Sequence, residues 1–219
     1  MSLFLGILLS SMAVGDPGSE SQPLTVDGVA HSVQHAELSM RVETETFDAA
    51  SQSWVYGRNP TLVLALEVRV DDRSGEDGAL SPDLYFHLPN NAPAELSGFV
   101  LDEKEHQVEA WYGNDAPALE NNRLEIKSEL NAGPVKVLWN ATSARGSKLV
   151  FDGPVEFMGI SLKVKNVTDV DGYLRKVWPA LDLSRLELVS ESEIDFGEDW
   201  PEERRHWMEL HYDFKPRLE

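Results

Sequence analysis

Alternation of apolar and polar residues recurs along most of this chain, and it restricts the chain to a mainly β fold. Ala36, Leu38, Met40 and Val42 alternate with polar residues, and the stretch 62–70 repeats the pattern. A period of two places one face of a strand in a core and the other face in water. Both segments are therefore predicted to be half-buried strands.

Further strand candidates follow at short intervals, with Gly-, Pro- and Asn-rich turn signals between them, one of which is Asp152-Gly153. Such a series predicts an all-β sandwich, jelly-roll or immunoglobulin-like, with about ten or more antiparallel strands. Short helices are predicted at 172–178 and from Pro201 onward. The remaining strand candidates lie at 84–88, 99–101, 108–112, 124–130, 135–139, 149–151, 155–164, 186–193 and 206–214.

The first 28 residues differ from the rest of the chain. An apolar run at 3–9 precedes Ala13-Val14-Gly15, which has the form of a signal-peptidase site. A buried central strand also reads as a continuous apolar run, and this run is shorter than the roughly 20 residues of a membrane span. Two interpretations stand: a signal peptide, which implies export, and a core strand in a cytoplasmic protein. A linker-like segment at 16–28 then leads into a single sandwich domain at 29–217.

The charge of the chain limits its partners. It has 219 residues, of which 38 are acidic and 19 basic, so the net charge is −19. Nucleic acids and anionic lipids are bound through basic surfaces, so both are excluded as partners. The absence of cysteine excludes disulfides and thiolate chemistry. These properties predict a non-catalytic binding or interaction module, whose ligand is a small molecule, a carbohydrate or a basic protein.

Acidic residues cluster at predicted strand ends and turns, which suggests calcium as the one cofactor to consider. Calcium takes six to eight oxygen ligands, and carboxylates in loops between strands supply them. The alternative is solvated surface charge that serves solubility. The candidate metal ligands are Asp71, Asp72, Asp77, Asp169 and Asp171.

Tryptophan is frequent in this chain. Trp111 and Trp207 fall on the face opposite the apolar alternation of their strands, where an exposed ring would stack on a sugar or anchor a partner. Together with Trp178 and Trp200, they are the candidate ligand-binding residues. The alternative is a second buried face, because large aromatic side chains are mostly buried.

A short acidic motif carries the alternative, enzymatic interpretation. Glu193 and Asp195 share one side of a strand, and a bulge at Gly197 would return Glu198 to that side. This pattern, E-[aliphatic]-D-[apolar]-x-E, and the upstream Trp178-Pro179-Ala180 resemble the catalytic strand of laminarinase-like and related β-glucanases, which are jelly-roll sandwiches. The resemblance implies a retaining glycoside hydrolase that uses Glu193 and Glu198 as its nucleophile and proton donor.

Overall fold

The computed structural model describes residues 23–48, 50, 53–70, 81–112, 119–130, 134–164, 170–194 and 207–215. Within these ranges the chain forms twelve strands, one α-helix and one 3₁₀ turn, which confirms the all-β class. The helix is α1 (Val170–Val177), and the 3₁₀ turn is Leu183–Arg185. The strands are β1 (Leu24–Val26), β2 (Val29–His31), β3 (Val33–Asp48), β4 (Ser53–Val70), β5 (Pro82–Leu88), β6 (Val100–Asp102), β7 (Val108–Tyr112), β8 (Leu119–Ile126), β9 (Pro134–Ser143), β10 (Lys148–Val164), β11 (Leu186–Ile194) and β12 (Trp207–Phe214).

Strand β4 shows how the alternation builds the core. Every second residue of its second half points into one hydrophobic cluster, as predicted, and each of these is at most 7% exposed. The residues are Leu62, Leu64, Leu66, Val68 and Val70. Burial of five aliphatic side chains contributes about 1.5–3 kcal/mol each relative to exposure, which makes β4 a main source of stability.

The strands form one curled, mixed sheet, so the predicted sandwich is not confirmed. Along the main path the order is β6-β8-β9-β10-β3-β4-β5-β7, and the sheet curls into a half-barrel. Among the strands described, all pairs are antiparallel except β3 with β10, which run parallel. A sandwich divides its strands between two sheets, whereas here hydrogen bonding continues from one end of the path to the other.

The long strand β10 is the reason why the sheet is continuous. Glu156 pairs with Pro134 of β9 on one edge and with Glu37 of β3 on the other. Strand β12 follows β9 along the first edge, and β1 precedes β3 along the second. The predicted turn at Asp152-Gly153 is therefore wrong: residues 149–151 and 155–164 belong to a single strand of 17 residues. Pro154 lies in the interval between β1 and β3, where a residue without an N–H group is tolerated.

A bulge interrupts β10 between its two halves. Phe157 lies opposite Leu38 and Ile160 opposite Met40, so β10 has one residue more than β3 in this interval. Gly159 takes the left-handed conformation, with φ +79°, and a Cβ at this position would overlap the Tyr212 carbonyl oxygen of β12. Glycine is required here because it has no Cβ.

Helix α1 covers the inner side of the curled sheet. It packs against β3 and β4, and its buried residues Val170, Tyr173, Leu174 and Val177 join the same core as the strands. The spacing of these four residues follows one face of a helix. Within the described part of the chain, no helix has the length and apolarity needed to cross a bilayer.

The described fold begins at Leu24 rather than near Val29. Leu24 is fully buried, and β1 and β2 form a hairpin around Asp27-Gly28, a tight turn in which both residues have positive φ. An Asp-Gly pair favours such a turn because both central positions need φ above zero. The apolar run at 3–9 lies outside the described residues, so the signal-peptide and core-strand interpretations both stay predictions.

Candidate functional site

Two of the four candidate tryptophans lie in the interior. Trp178 is 1% exposed, and its indole N–H donates to the Pro93 carbonyl at 2.8 Å. Trp207 is 3% exposed. Neither ring is exposed for a ligand in solvent to stack on. For Trp178 and Trp207 the structure therefore supports the alternative interpretation, burial in the interior. The backbone of Trp111 lies in β7 opposite Asp83; its side chain, and all of Trp200, lie outside the described residues.

The predicted calcium ligands are not brought together in the described structure. Asp171 is exposed in the first turn of α1. Asp71, Asp72, Asp77 and Asp169 lie outside the described residues. Among the residues that are described, no group of three or more His, Asp and Glu side chains is arranged to hold a metal ion. Calcium binding by the loops outside these ranges stays a prediction.

Of the three acidic residues in the glycosidase-like motif, only the first lies among the described residues. Glu193 is exposed on β11, whereas Asp195 and Glu198 lie outside the described residues. The separation of Glu193 and Glu198, which would be about 5–5.5 Å in a retaining glycosidase, therefore stays a prediction. Glu193 lines neither of the two clefts described below.

The most unusual arrangement on the described surface is a line of carboxylates across the outer face of the sheet. Glu156 of β10 lies beside Glu37 of β3, Glu37 lies opposite Glu67 of β4, and Glu67 lies opposite Asp83 of β5. We call these four residues the carboxylate row. Side chains directly opposite each other on antiparallel strands have Cβ atoms about 4.5–5.5 Å apart, and like charges at that separation are destabilising.

Hydrogen-bonding and basic groups flank the row, and the arginines among them neutralise part of its charge. His35 Nε2 lies 2.8 Å from Glu37 Oε2, and Arg69 forms an ion pair with Glu67. The side chains of Glu37 and Glu67 are only 28% and 26% exposed, so they lie half-buried among their neighbours. The Arg41 guanidinium of β3 stacks 5.4 Å from the centre of the Tyr85 ring of β5, on two of the strands that carry the row. The row is thus a partly compensated acidic surface.

The pKa of Asp83 indicates whether repulsion or attraction dominates at this end of the row. Burial raises the pKa of this carboxyl above its ordinary value, and the nearby charges of Glu67 and Glu37 raise it further. Arg69 and Arg41 act in the opposite direction, but they do not cancel the increase. The repulsion and desolvation at Asp83 therefore outweigh its attraction to the flanking arginines.

A shallow surface cleft lies along three members of the row, Glu37, Glu67 and Asp83. It is open to solvent and is much smaller than the enclosed pockets that ordinarily hold small-molecule ligands. A second cleft, equally shallow, lies beside Trp178, Arg185 and Phe214 at the end of β12. The first cleft is lined by Glu37, Ser39, Arg41, Glu67, Asp83 and Tyr85, among others.

The carboxylate row was not predicted from the sequence. Each of its members alternates with buried residues, so each reads as part of an ordinary solvated strand face. The signal that could have found the row is the register of β10, β3, β4 and β5, which places positions 156, 37, 67 and 83 side by side.

Comparison of the chain with protein-family models, with curated proteins and with solved structures found no match in any of the three.

Proposed function

We propose that this protein is a non-catalytic interaction module that binds a basic segment of a partner protein through the carboxylate row. The observation that carries the proposal is the alignment of Glu156, Glu37, Glu67 and Asp83 on adjacent strands of the outer face of the sheet. This alignment costs stability, because like charges oppose one another. Local arrangements that oppose stability are concentrated at functional sites.

A basic ligand relieves the repulsion within the row. A lysine or arginine between two neighbouring carboxylates replaces a like-charge contact by two charge-assisted hydrogen bonds. With strands about 4.8 Å apart, the row spans about 14 Å. Basic residues at positions i and i+2 of an extended segment are about 7 Å apart, so two of them fit along half of the row.

The half-buried setting strengthens these contacts. Glu37 and Glu67 are shielded on several sides, and ion pairs in such a setting are worth more than pairs in bulk water. The net charge of −19 adds long-range attraction, which speeds the encounter with a basic partner. We therefore expect binding that weakens with rising salt concentration.

A basic protein is a better candidate than a carbohydrate for the described surface. Sugars bind to exposed aromatic faces, and the rings of Trp178 and Trp207 are buried. Tyr85 lies in the row's cleft, but Arg41 stacks on its ring. The polar, half-buried carboxylates of this cleft suit a cationic group.

The proposal is tested with a fluorescein-labelled octa-lysine peptide by fluorescence anisotropy in 150 mM salt. The test variant is Glu37→Gln/Glu67→Gln, and the matched control is Glu105→Gln/Glu120→Gln, whose residues are exposed and distant from the row in sequence and strand. Each double variant removes two negative charges, and Gln keeps the size of the side chain. Circular dichroism checks that both remain folded.

We expect the row variant to raise the dissociation constant at least about fivefold, which corresponds to about 1 kcal/mol, and the control to change it less than about twofold. Equal weakening in both double variants would mean that only net charge matters, and the proposal would fail. Failure of the unmodified protein to bind the peptide in 150 mM salt would also refute it.

A further inference from the structure

Strand β11 (Leu186–Ile194) is exposed to an unusual degree. Within the described residues it pairs only with β12, so its other edge carries N–H and C=O groups that no described strand takes up. All residues from 187 to 193 are exposed, including the apolar Leu188 at 46% and Val189 at 57%. A strand of an antiparallel sheet ordinarily buries at least one of its faces.

A bulge gives this strand a particular pattern of side chains. Leu188 lies opposite Tyr212 and Ser190 opposite His211, so Val189 is the extra residue. After the bulge, Glu191 and Glu193 take the face that Leu188 occupies before it, because one added residue reverses the alternation. One face of β11 therefore presents an apolar residue followed by two carboxylates.

The acidic charge of β11 distinguishes between two possible partners for this edge, a second copy of the chain and a strand that carries basic residues. An antiparallel pairing with a second copy, centred on Ser190, would place Glu187 of one copy opposite Glu193 of the other. Like charges in that position are destabilising, and each copy adds a net charge of −19. Acidic side chains on an edge strand thus disfavour self-pairing, but they favour a strand that carries lysine or arginine.

We propose that the edge of β11 with which no described strand pairs accepts an extended basic segment of a partner protein as an additional strand. The backbone of the segment hydrogen-bonds to β11, its alternate basic residues lie beside Glu191 and Glu193, and an apolar residue covers Leu188. Main-chain hydrogen bonds supply affinity in this mode of recognition, and the alternate side chains supply specificity. This inference rests on the proposed function, because that function supplies the basic character of the partner. The surface involved is the edge of β11 and not the carboxylate row.

The test uses a labelled peptide, acetyl-Lys-Thr-Lys-Thr-Val-Thr-amide, and two N-methylated forms of it. One form is methylated on the amides of its first, third and fifth residues, and the other on those of its second, fourth and sixth. Successive amides of a strand point to opposite edges, so only one of the two forms loses the hydrogen bonds to β11. Charge and side chains are the same in all three peptides.

We expect one methylated form to bind at least about tenfold more weakly than the parent peptide, and the other to bind within about twofold of it. Hydrogen–deuterium exchange at 186–194 is expected to slow when the parent peptide is bound. In the protein, Glu191→Lys is expected to weaken binding of the parent peptide at least about fivefold. The control for net charge is Glu120→Lys on β8, which is expected to weaken binding less than about twofold.

Equal affinity of both methylated forms and the parent, with unchanged exchange in β11, would overturn strand addition, while octa-lysine binding through the carboxylate row would stand. If neither octa-lysine nor the parent peptide binds, the proposed function fails and this inference fails with it. A dimer in analytical ultracentrifugation, with β11 amides protected before any peptide is added, would assign the edge to a second copy and also overturn it.

Discussion

Replacing Asp83 by Asn is expected to stabilise the fold at neutral pH. Asp83 lies at the end of the carboxylate row opposite Glu67, and burial followed by the charge of Glu67 raises its pKa above the ordinary 3.8. A carboxyl whose pKa is higher in the folded than in the unfolded state binds protons more tightly in the folded state. The free energy of unfolding therefore falls as pH rises through this range, and above it the charged Asp83 lowers stability.

The size of the effect follows from the cross-strand geometry. A directly opposite pair of side chains contributes about 0.2–1 kcal/mol, and here the like-charge contact with Glu67 is partly offset by Arg41 and Arg69. We expect Asp83→Asn to raise the free energy of unfolding at pH 7 by about 0.5 kcal/mol. For a chain of this length that is about 1–2 °C in melting temperature. The gain is expected to shrink in high salt, which screens the repulsion.

Urea denaturation monitored by tryptophan fluorescence measures this change in the free energy of unfolding at pH 7. The measurement is repeated well below pH 3.8, where the carboxyl is protonated in both the folded and the unfolded state and the gain should vanish. Glu105→Gln, in an exposed turn, is the control and is expected to be neutral. A loss of stability at pH 7 in Asp83→Asn would show that attraction to Arg41 and Arg69 dominates. The account of the row as a strained arrangement would then be refuted.

Three further substitutions test the packing, each by urea denaturation. Leu64→Ala is expected to cost about 2–5 kcal/mol, because Leu64 is fully buried in β4, and a loss below about 0.5 kcal/mol would contradict its place in the core. Gly159→Ala is expected to cost at least about 2 kcal/mol, because the backbone is left-handed at this position and the added Cβ would overlap a carbonyl oxygen of β12. An unchanged midpoint of the urea unfolding transition would argue against the bulge. Asn122→Ala is expected to cost about 2–3 kcal/mol, because Asn122 is 1% exposed and its side chain makes hydrogen bonds that alanine cannot make. The Asn122 amide donates to Glu103 at 2.9 Å and accepts from the Trp139 indole at 3.3 Å, and a neutral result would mean that water replaces these bonds.

The existence of most strands could be predicted because alternation is a local signal. The pattern of 62–70 identified the buried face of β4, and the segment 108–112 coincides with β7. The α-helix predicted at 172–178 is present at Val170–Val177. In each case the residues that decide the structure lie within one short window of the sequence.

The arrangement of the strands could not be predicted in the same way. Asp152-Gly153 has the composition of a turn, but the pairing of this segment with β9 keeps it extended. Because β10 continues through this segment, it pairs with β9 and β12 along one edge and with β1 and β3 along the other. Tertiary pairing overrides local propensity more easily in strands than in helices, because strand propensity depends on context.

The bulge in β10 links the core to the carboxylate row. Before it, Val155 faces the core and Glu156 faces outward; after it, Ile160 and Leu162 face the core and Ser161 faces outward. Without the extra residue, a strand that kept Glu156 in the row would turn Ile160 and Leu162 toward solvent. Gly159 therefore lets one strand supply both an outward carboxylate and a continuous inner face. The row therefore depends on a glycine that is not one of its members, and its position follows from sheet register and not from any local motif.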